Sequence, residues 1–364
     1  MISLLYHSGW ASPLLHCSLA GGPWQDLHFV RTDRHYWHSV QCGSPCEFVL
    51  TDGRGNWDNP APHCSHSSGQ NYEINDPGKY AIFRGEVIPI LPNPKRILLI
   101  SDLDGTMLEE NDPEADDTTL HFAKYWLSLH YFSNSKLVYS TGRSMHEYLS
   151  IKRAKKALLD PDLLILDVGS DAYSMKPATG EYEVLREYQE AVNTEHWDTE
   201  VVSRTIDQRF PWLIHPQPSG DFRLKTWRIA RVEDVTAHRS LLKAFVSESS
   251  NWPTAKEIRC KIHISGSGTH RYIDFTPRNG GKMAGVTFSK AAFGFSEGDT
   301  LVAGDSGNDL SMFRGPEWGV VPANCLPEME EWFCKQDRGP QKYISGRRYA
   351  DAIVEALERM TGRQ

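Results

Sequence analysis

Long apolar runs are missing from this 364-residue chain: none approaches the roughly 20 residues that span a bilayer. Met1 is not followed by the basic patch and apolar stretch of a secretion signal. A soluble, intracellular protein without a membrane partner is expected, cytoplasmic or plastidic. Cysteine is scarce and odd in number, seven in all, which excludes a disulfide scaffold and makes reduced thiols the expectation. Cys42, Cys46, His63, Cys64 and His66 lie close in sequence, but their spacing fits no compact zinc pattern. Positive charge is short as well. Lys and Arg number 39 against 47 Asp and Glu, a formal charge of −8, so no global field exists to hold nucleic acid, and an anionic substrate needs local cations. What is present, 40% hydrophobic and 24% charged residues, is the composition of ordinary folded protein, and the length suits two or three domains.

Composition changes along the chain. Residues 1–90 are rich in Trp, His, Gly and Ser, with short runs such as Leu14-Leu15-His16-Cys17 and Glu47-Phe48-Val49-Leu50 between turn signals such as Asp52-Gly53 and Asp76-Pro77-Gly78. They predict a small all-β sandwich. Pro89, Pro92 and Pro94 mark a stiff connector, with the linker at 91–96. Beyond it the text becomes βα. Ile97 to Ile100, Leu137 to Tyr139, Leu163 to Leu166 and Thr300 to Ala303 read as strands buried on both faces, with helical text at Thr118 to His130 and Met145 to Leu158. This predicts a doubly wound α/β core in two parts, 97–175 and 273–364. An inserted α+β segment, 176–272, has helical text at Glu187 to Phe210 and Val235 to Ser249 and strands near Leu224 to Ile229 and Cys260 to Ile264.

The chemistry concentrates in four places. Asp102 and Asp104, in Ser101-Asp102-Leu103-Asp104-Gly105-Thr106, follow the first core strand. Alternating carboxylates at a strand's carboxyl end face one pocket, and with Mg²⁺ they suit phosphoryl chemistry. Ser140-Thr141-Gly142-Arg143 follows the second strand and offers a hydroxyl and backbone N–H groups to an anion. Gly280-Gly281-Lys282 brings a lysine into helical text, where it can neutralise a phosphoryl group. Gly304-Asp305-Ser306-Gly307-Asn308-Asp309 follows a further core strand with carboxylates for a metal shell.

In that order the four motifs resemble the haloacid dehalogenase superfamily over roughly residues 95 to 364, with a Rossmann-like core and a cap of the IIB type, and within it the sucrose-phosphatases. The resemblance implies an Mg²⁺-dependent phosphoric monoester hydrolase. In it Asp102 is the nucleophile, Asp104 the general acid and base, and Thr141 and Lys282 hold the phosphoryl oxygens. Asp102, Asp305 and the backbone carbonyl of Asp104 bind the metal, with Asn308 and Asp309 orienting that shell. Thr106, Gly142, Arg143, Gly169, Ser170 and Lys225 fall at the substrate. The chain departs from the sucrose-phosphatase pattern at Ser170-Asp171 and at Lys225-Thr226-Trp227-Arg228, where the sugar is read. Sucrose 6-phosphate leads as substrate, and trehalose 6-phosphate or a glucosyl-polyol phosphate remain as alternatives. Lys225 and Arg228 also read as solvent-exposed strand charges.

Residues 3 to 88 resemble starch-binding modules of carbohydrate-binding families 25 and 53, through Gly21-Gly22-Pro23-Trp24, Trp57-Asp58-Asn59 and Asn71-Tyr72. That likeness implies a starch or other α-glucan partner, met by His16, Trp24 and Trp57. The alternative is that the two tryptophans fill the sandwich core. Two function classes follow: a sugar-phosphate phosphatase carrying a glucan-binding module, or a catalytically weak glucan-binding regulator that keeps the phosphatase fold.

Overall fold

The structure, a computed structural model, describes all residues except 33, 35, 93–94, 110, 177–178, 194–196, 215–223, 249–259, 267, 336–338 and 363–364. Pro94 of the connector, residues 194–196 and Ser249 of the expected helical spans thus lie outside the described residues. No described helix is long and apolar enough to cross a membrane. The chain divides into two compact units, one of residues 1–96, 123–134 and 175–182, the other of the remainder.

The first unit contains two sheets. One orders its strands Glu86–Pro89, Gly78–Phe83, Ile2–His7, Trp37–Cys42 and Val30–Arg31; the other runs Trp24–His28, Leu14–Leu19, Cys46–Thr51, Asn71–Ile74 and Ser67–Ser68, with Trp57–Asp58 added to Cys46–Thr51. Side chains alternate across a strand, so Ile2, Leu4 and Tyr6 of the first sheet meet Leu15, Phe48, Leu50 and Tyr72 of the second in one core. Cys17, Cys42, Cys46 and Cys64 belong to that core as free, buried thiols. Trp24 and Trp57 do not: they are 42% and 53% exposed. The reading that makes them core residues is therefore corrected. Each stands at the first position of a short strand, Trp24–His28 and Trp57–Asp58.

The second unit is built on an eight-stranded sheet ordered Tyr182–Val184, Asp171–Met175, Leu163–Leu166, Lys136–Ser140, Leu98–Ser101, Thr300–Ala303, Trp318–Val321 and Lys342–Ile344. From Leu163–Leu166 to Lys342–Ile344 every pairing is parallel, and Asp171–Met175 joins antiparallel. Leu98, Leu99 and Ile100 are fully buried at its centre, each such side chain contributing about 1.5–3 kcal/mol. The architecture is thus α/β, with additional amino-terminal β-sheets. Trp318–Val321 and Lys342–Ile344, too short and mixed to stand out in the sequence, extend the sheet.

The inserted segment forms a three-stranded antiparallel sheet ordered Thr226–Arg231, His270–Pro277 and Cys260–Ser265. Its helical text resolves into Arg186–Val192, Thr199–Arg209, Val232–Ala237 and Arg239–Glu248. The helical text of Glu187 to Phe210 thus divides into two helices, and Asp198 caps the second by accepting from the Glu200 and Val201 N–H groups.

Candidate active site

Leu98–Ser101 and Thr300–Ala303 are parallel neighbours, with Ser101 opposite Ala303. The Asp102 N–H extends the ladder to the Ala303 carbonyl at 2.9 Å. The first and last motifs therefore leave the sheet side by side at its carboxyl edge, where open α/β sheets bind ligands. Their turns fit closely enough to demand glycine. Gly105 has φ +72°, and a Cβ there would stand 2.4 Å from Asp305 Oδ2; one on Gly304 would stand 2.5 Å from Asp309 Cβ.

Asp102, Asp305 and Asp309 are buried, and each offers a carboxylate oxygen within 4.8 Å of the others'. Lys282, fully buried at the start of the helix Lys282–Phe293, places Nζ 2.9 Å from Asp102 Oδ2 and donates to Asp309 as well. Asp309 Oδ2 accepts from the backbone N–H groups of Asp305 and Ser306 at 3.1 and 3.0 Å, and Asp305 Oδ1 accepts from Thr106 at 3.0 Å. Three carboxylates against one ammonium leave a surplus of two negative charges. Burial first, then the charge of Asp309, pushes the Asp102 carboxyl up to about 8 against the pull of Lys282. Burial, Asp309 and Asp102 likewise hold Asp305 well above the carboxylate range. Burial also works against the Lys282 charge, but Asp102 and Asp309 outweigh it and keep the ammonium above its ordinary value. Anionic oxygens crowded in this way fit a hard divalent cation, whose two charges match the surplus.

Asp104 takes a different partner. Its carboxylate accepts a forked pair from Arg143, Nε to Oδ2 at 2.9 Å and Nη2 to Oδ1 at 2.6 Å. Thr141 is buried at the end of Lys136–Ser140, its Oγ1 accepting from the Arg143 N–H at 3.2 Å. Ser144 begins the following helix with a reciprocal cap, its N–H donating to Glu147 at 2.7 Å. Asn308 holds Ser306 Oγ at 3.1 Å.

A cavity of about 610 Å³ opens here, within the range of small-molecule sites. Asp102, Asp104, Gly142, Arg143, Asp305 and Asn308 line it from the core and Lys225 from the inserted sheet. Lys225 and Arg228 are both buried, against the reading of exposed strand charges. Lys225 donates to the Gly142 carbonyl at 2.9 Å and pairs with Asp274 at 3.2 Å, while Arg228 turns the other way to Asp207 and Ser203. Lys261 makes a second tie, to the Gly280 carbonyl at 2.8 Å.

Gly169 and Ser170 are not among the lining residues, and neither are Thr106, Thr141 and Lys282, which lie buried behind them. Asp167, Val168 and Gly169 all have positive φ, from +55° to +80°, a strained turn for a β-branched residue. It carries the Gly169 carbonyl to the Gly281 N–H at 3.1 Å, and a Cβ on Gly169 would stand 2.3 Å from the Gly281 carbonyl carbon. Gly169 thus seats the loop that presents Lys282. Asp167, pushed up to about 8 by burial against the pull of Lys225, has an Oδ1 without a partner among the described residues. Asp167, Asp274, Glu147 and Tyr272 are absent from the expected site, whereas Trp227 belongs to the strand at which the sugar was expected to be read. Strand alternation was the available signal for the residues on the inserted sheet.

In the first unit His16, Trp24 and Trp57 come together. The His16 ring stacks on Trp24 with centroids 4.9 Å apart and meets Trp57 edge-on at 5.8 Å, while its Nδ1 lies 2.6 Å from Asp26 Oδ1.

Comparisons with known proteins bear on the part of the chain that follows residue 94. The family described as Sucrose-6F-phosphate phosphohydrolase matches residues 95–361. Probable sucrose-phosphatase 3a of Arabidopsis thaliana is 30% identical over 277 residues, covering 74% of this chain and 60% of that protein. Mannosylfructose-phosphate phosphatase of Agrobacterium fabrum is 24% identical over 261 residues, 71% of this chain and 95% of that protein. Among solved structures, the sucrose-phosphatase of Synechocystis in complex with sucrose and phosphate shares the fold, with TM-score 0.60, 24% identity and coverage of 73% of this chain and 98% of that one. The chain spans about 60% of the length of the plant relatives it matches.

Proposed function

This chain belongs to the sucrose-6F-phosphate phosphohydrolase family, and on that premise we propose that it hydrolyses a sugar phosphate, with sucrose 6-phosphate the leading substrate. The observation that carries the reading is Lys282, buried between Asp102 and Asp309 with Asp305 beside them. Burying such charges costs several kcal/mol per ion, which a folded chain tolerates where the charges meet an ion or an anionic ligand.

Asp102 attacks phosphorus with a carboxylate oxygen, and an acyl phosphate forms as the bond to the sugar oxygen breaks. Asp104 gives that oxygen its proton. It then takes a proton from the water that attacks the acyl phosphate, which restores Asp102 and releases inorganic phosphate. Thr141 and Lys282 hold the phosphoryl oxygens. Arg143 passes from Asp104 toward the incoming anion, freeing the acid. Asp102, Asp305 and the Asp104 carbonyl would hold Mg²⁺, with Asn308 and Asp309 orienting them, and the bound ion would supply screening of the repulsion between an anionic nucleophile and an anionic phosphate.

A screen with sucrose 6-phosphate, trehalose 6-phosphate and a glucosyl-polyol phosphate tests this. Phosphate release from at least one of them with Mg²⁺ is expected, and release from none would favour the regulatory reading. Excess chelator should abolish turnover, with Mg²⁺ restoring it and Ca²⁺ not, because the larger ion recruits extra oxygens and loosens the shell. Full activity in chelator would refute metal dependence.

The amino-terminal sandwich serves in this proposal to bind α-glucan, supported by two exposed indoles gathered around His16. Pyranose C–H faces stack on such rings. The full chain should sediment with granular starch, and Trp24→Ala should reduce the bound fraction severalfold while phosphatase activity is unchanged. Equal sedimentation of the folded variant would remove Trp24 from the contact.

A further inference from the structure

The loop between the strand Trp318–Val321 and the helix Pro327–Lys335 reaches both aspartate turns. Its Leu326 N–H donates to the Asp305 carbonyl at 2.9 Å, and its Asn324 Nδ2 donates to the Gly105 carbonyl at 2.7 Å. Leu326 lines the catalytic cavity and Asn324 does not. The loop is itself anchored, by the Ala323 N–H on the Arg347 carbonyl at 2.8 Å and by the Cys325 N–H on the Pro322 carbonyl at 3.1 Å.

Asn324 is held at both ends of its amide. Its Oδ1 accepts from the Tyr349 N–H at 2.9 Å, which leaves Nδ2, the donor, to face Gly105. Tyr349 is fixed in turn: it is buried, its φ is +47°, and its hydroxyl donates to Asp112 at 2.7 Å. A bulky residue adopts that backbone conformation where its surroundings impose it. On the other side of the contact, the Gly105 N–H donates to the Leu108 carbonyl at 2.8 Å. That N–H and the Asp104 carbonyl belong to one planar peptide unit. Gly105 is therefore pinned at its N–H and at its carbonyl, and the Asp104 carbonyl points where those two bonds aim it. The bracing has an electrostatic reason. Asp102, Asp305 and Asp309 repel one another across these turns, and an amide holds a backbone carbonyl without adding charge to the cluster.

We propose that Asn324 is a positioning residue for the metal shell, fixing the Asp104–Gly105 turn against the Asp305 turn so that the oxygens of both are in place before a cation arrives. This rests on the sugar-phosphate phosphatase reading and adds a residue that acts through Gly105 without touching substrate.

The test compares the full-length chain with Asn324→Ala, Asn324→Ser and Lys290→Met. Serine keeps a hydroxyl for the Tyr349 N–H but is too short to hold Gly105 as well. Lys290→Met is the destabilised comparison, because it takes the cation from buried Glu317, 2.6 Å away and outside the cavity. Mg²⁺ is titrated in two ways: phosphate release from sucrose 6-phosphate, and the rise in melting temperature above its value in chelator, which reports binding without turnover. Partners that orient metal ligands cost about 10–100-fold in metal affinity or activity when removed. Asn324→Ala and Asn324→Ser should each need about tenfold more Mg²⁺ in both titrations and lose about tenfold in kcat at saturating Mg²⁺, with KM nearly unchanged. Lys290→Met should melt lower in chelator and keep the wild-type Mg²⁺ requirement. Should Asn324→Ala not fold, Asn324→Ser carries the same comparison. A wild-type requirement in the Asn324 variants, or the same shift in Lys290→Met, would overturn the proposal. So would a rise in KM alone, the mark of a substrate contact. A wild-type chain that Mg²⁺ stabilises but that releases phosphate from no sugar phosphate would overturn the phosphatase reading, and the melting titration would still decide the role of Asn324.

Discussion

Asp102→Asn is expected to lower kcat by roughly 10⁴-fold or more, the scale seen when an enzyme's nucleophile is removed, in a protein that still folds. An amide lacks the anionic oxygen that forms the bond to phosphorus, and the surrounding groups cannot replace it. Asp104 is held by Arg143, and Asp309 is occupied by Lys282 and two backbone N–H groups. Unfolding is not the cause of the loss. The substitution reduces the surplus negative charge around Lys282 and relieves the repulsion from Asp309 that pushes the Asp102 carboxyl up. Thermal melting in chelator should therefore come no lower than for the wild-type chain. Steady-state phosphate release and a melting curve check both halves, and turnover within tenfold of the wild type would rule out Asp102 as nucleophile.

Lys282→Met should reduce both stability and activity. It removes the cation that faces Asp102 and Asp309 in a fully buried position. Taking one member from a buried ion pair costs about 3–5 kcal/mol, because the partner stays buried and uncompensated. The loss should appear as a lower melting temperature in chelator and shrink when Mg²⁺ supplies positive charge to the same carboxylates. Activity should not return with it. Lys282 also faces the phosphoryl oxygens in the proposed reaction, and losing a donor to developing charge costs roughly 10²–10³ in kcat. Wild-type melting in chelator would contradict the electrostatic reading of the cluster, and full activity in Mg²⁺ would contradict the phosphoryl contact.

The meeting of the four motifs at one sheet edge was legible in the sequence because its determinants are local. Each motif follows a continuous apolar run, such runs form parallel strands buried on both faces, and parallel strands deliver their carboxyl ends to one edge. Asp102, Thr141 and Asp305 could be placed from that rule alone. The closeness of Gly105 to Asp305 supplies the reason no other residue fits between the two carboxylates. The half of the cavity lined by the inserted sheet was not legible, because it depends on pairings between distant segments. Lys225 and Arg228 look alike as charges on one strand. One is buried against Asp274 and the other against Asp207, on opposite faces. Trp227 and Tyr272 meet only because the strands Thr226–Arg231 and His270–Pro277 pair in a particular register, which local periodicity does not specify. Gly169 and Ser170 were expected at the substrate; the packing of Gly169 on Gly281 is a further contact that the sequence did not disclose. The gathering of Trp24 and Trp57 around His16 likewise needed the pairing of Leu14–Leu19 with Trp24–His28 and of Cys46–Thr51 with Trp57–Asp58.

The central claim is that Asp102 carries the phosphoryl group during turnover. Single turnover with enzyme in excess over sucrose 6-phosphate, quenched in acid and reduced with borohydride, would convert an acyl phosphate at this position to homoserine, which peptide mass spectrometry locates. Homoserine at position 102, absent when the sugar phosphate is omitted, is the expected result. Full release of phosphate with Asp102 unmodified at every quench time, or reduction at another carboxylate, would contradict it.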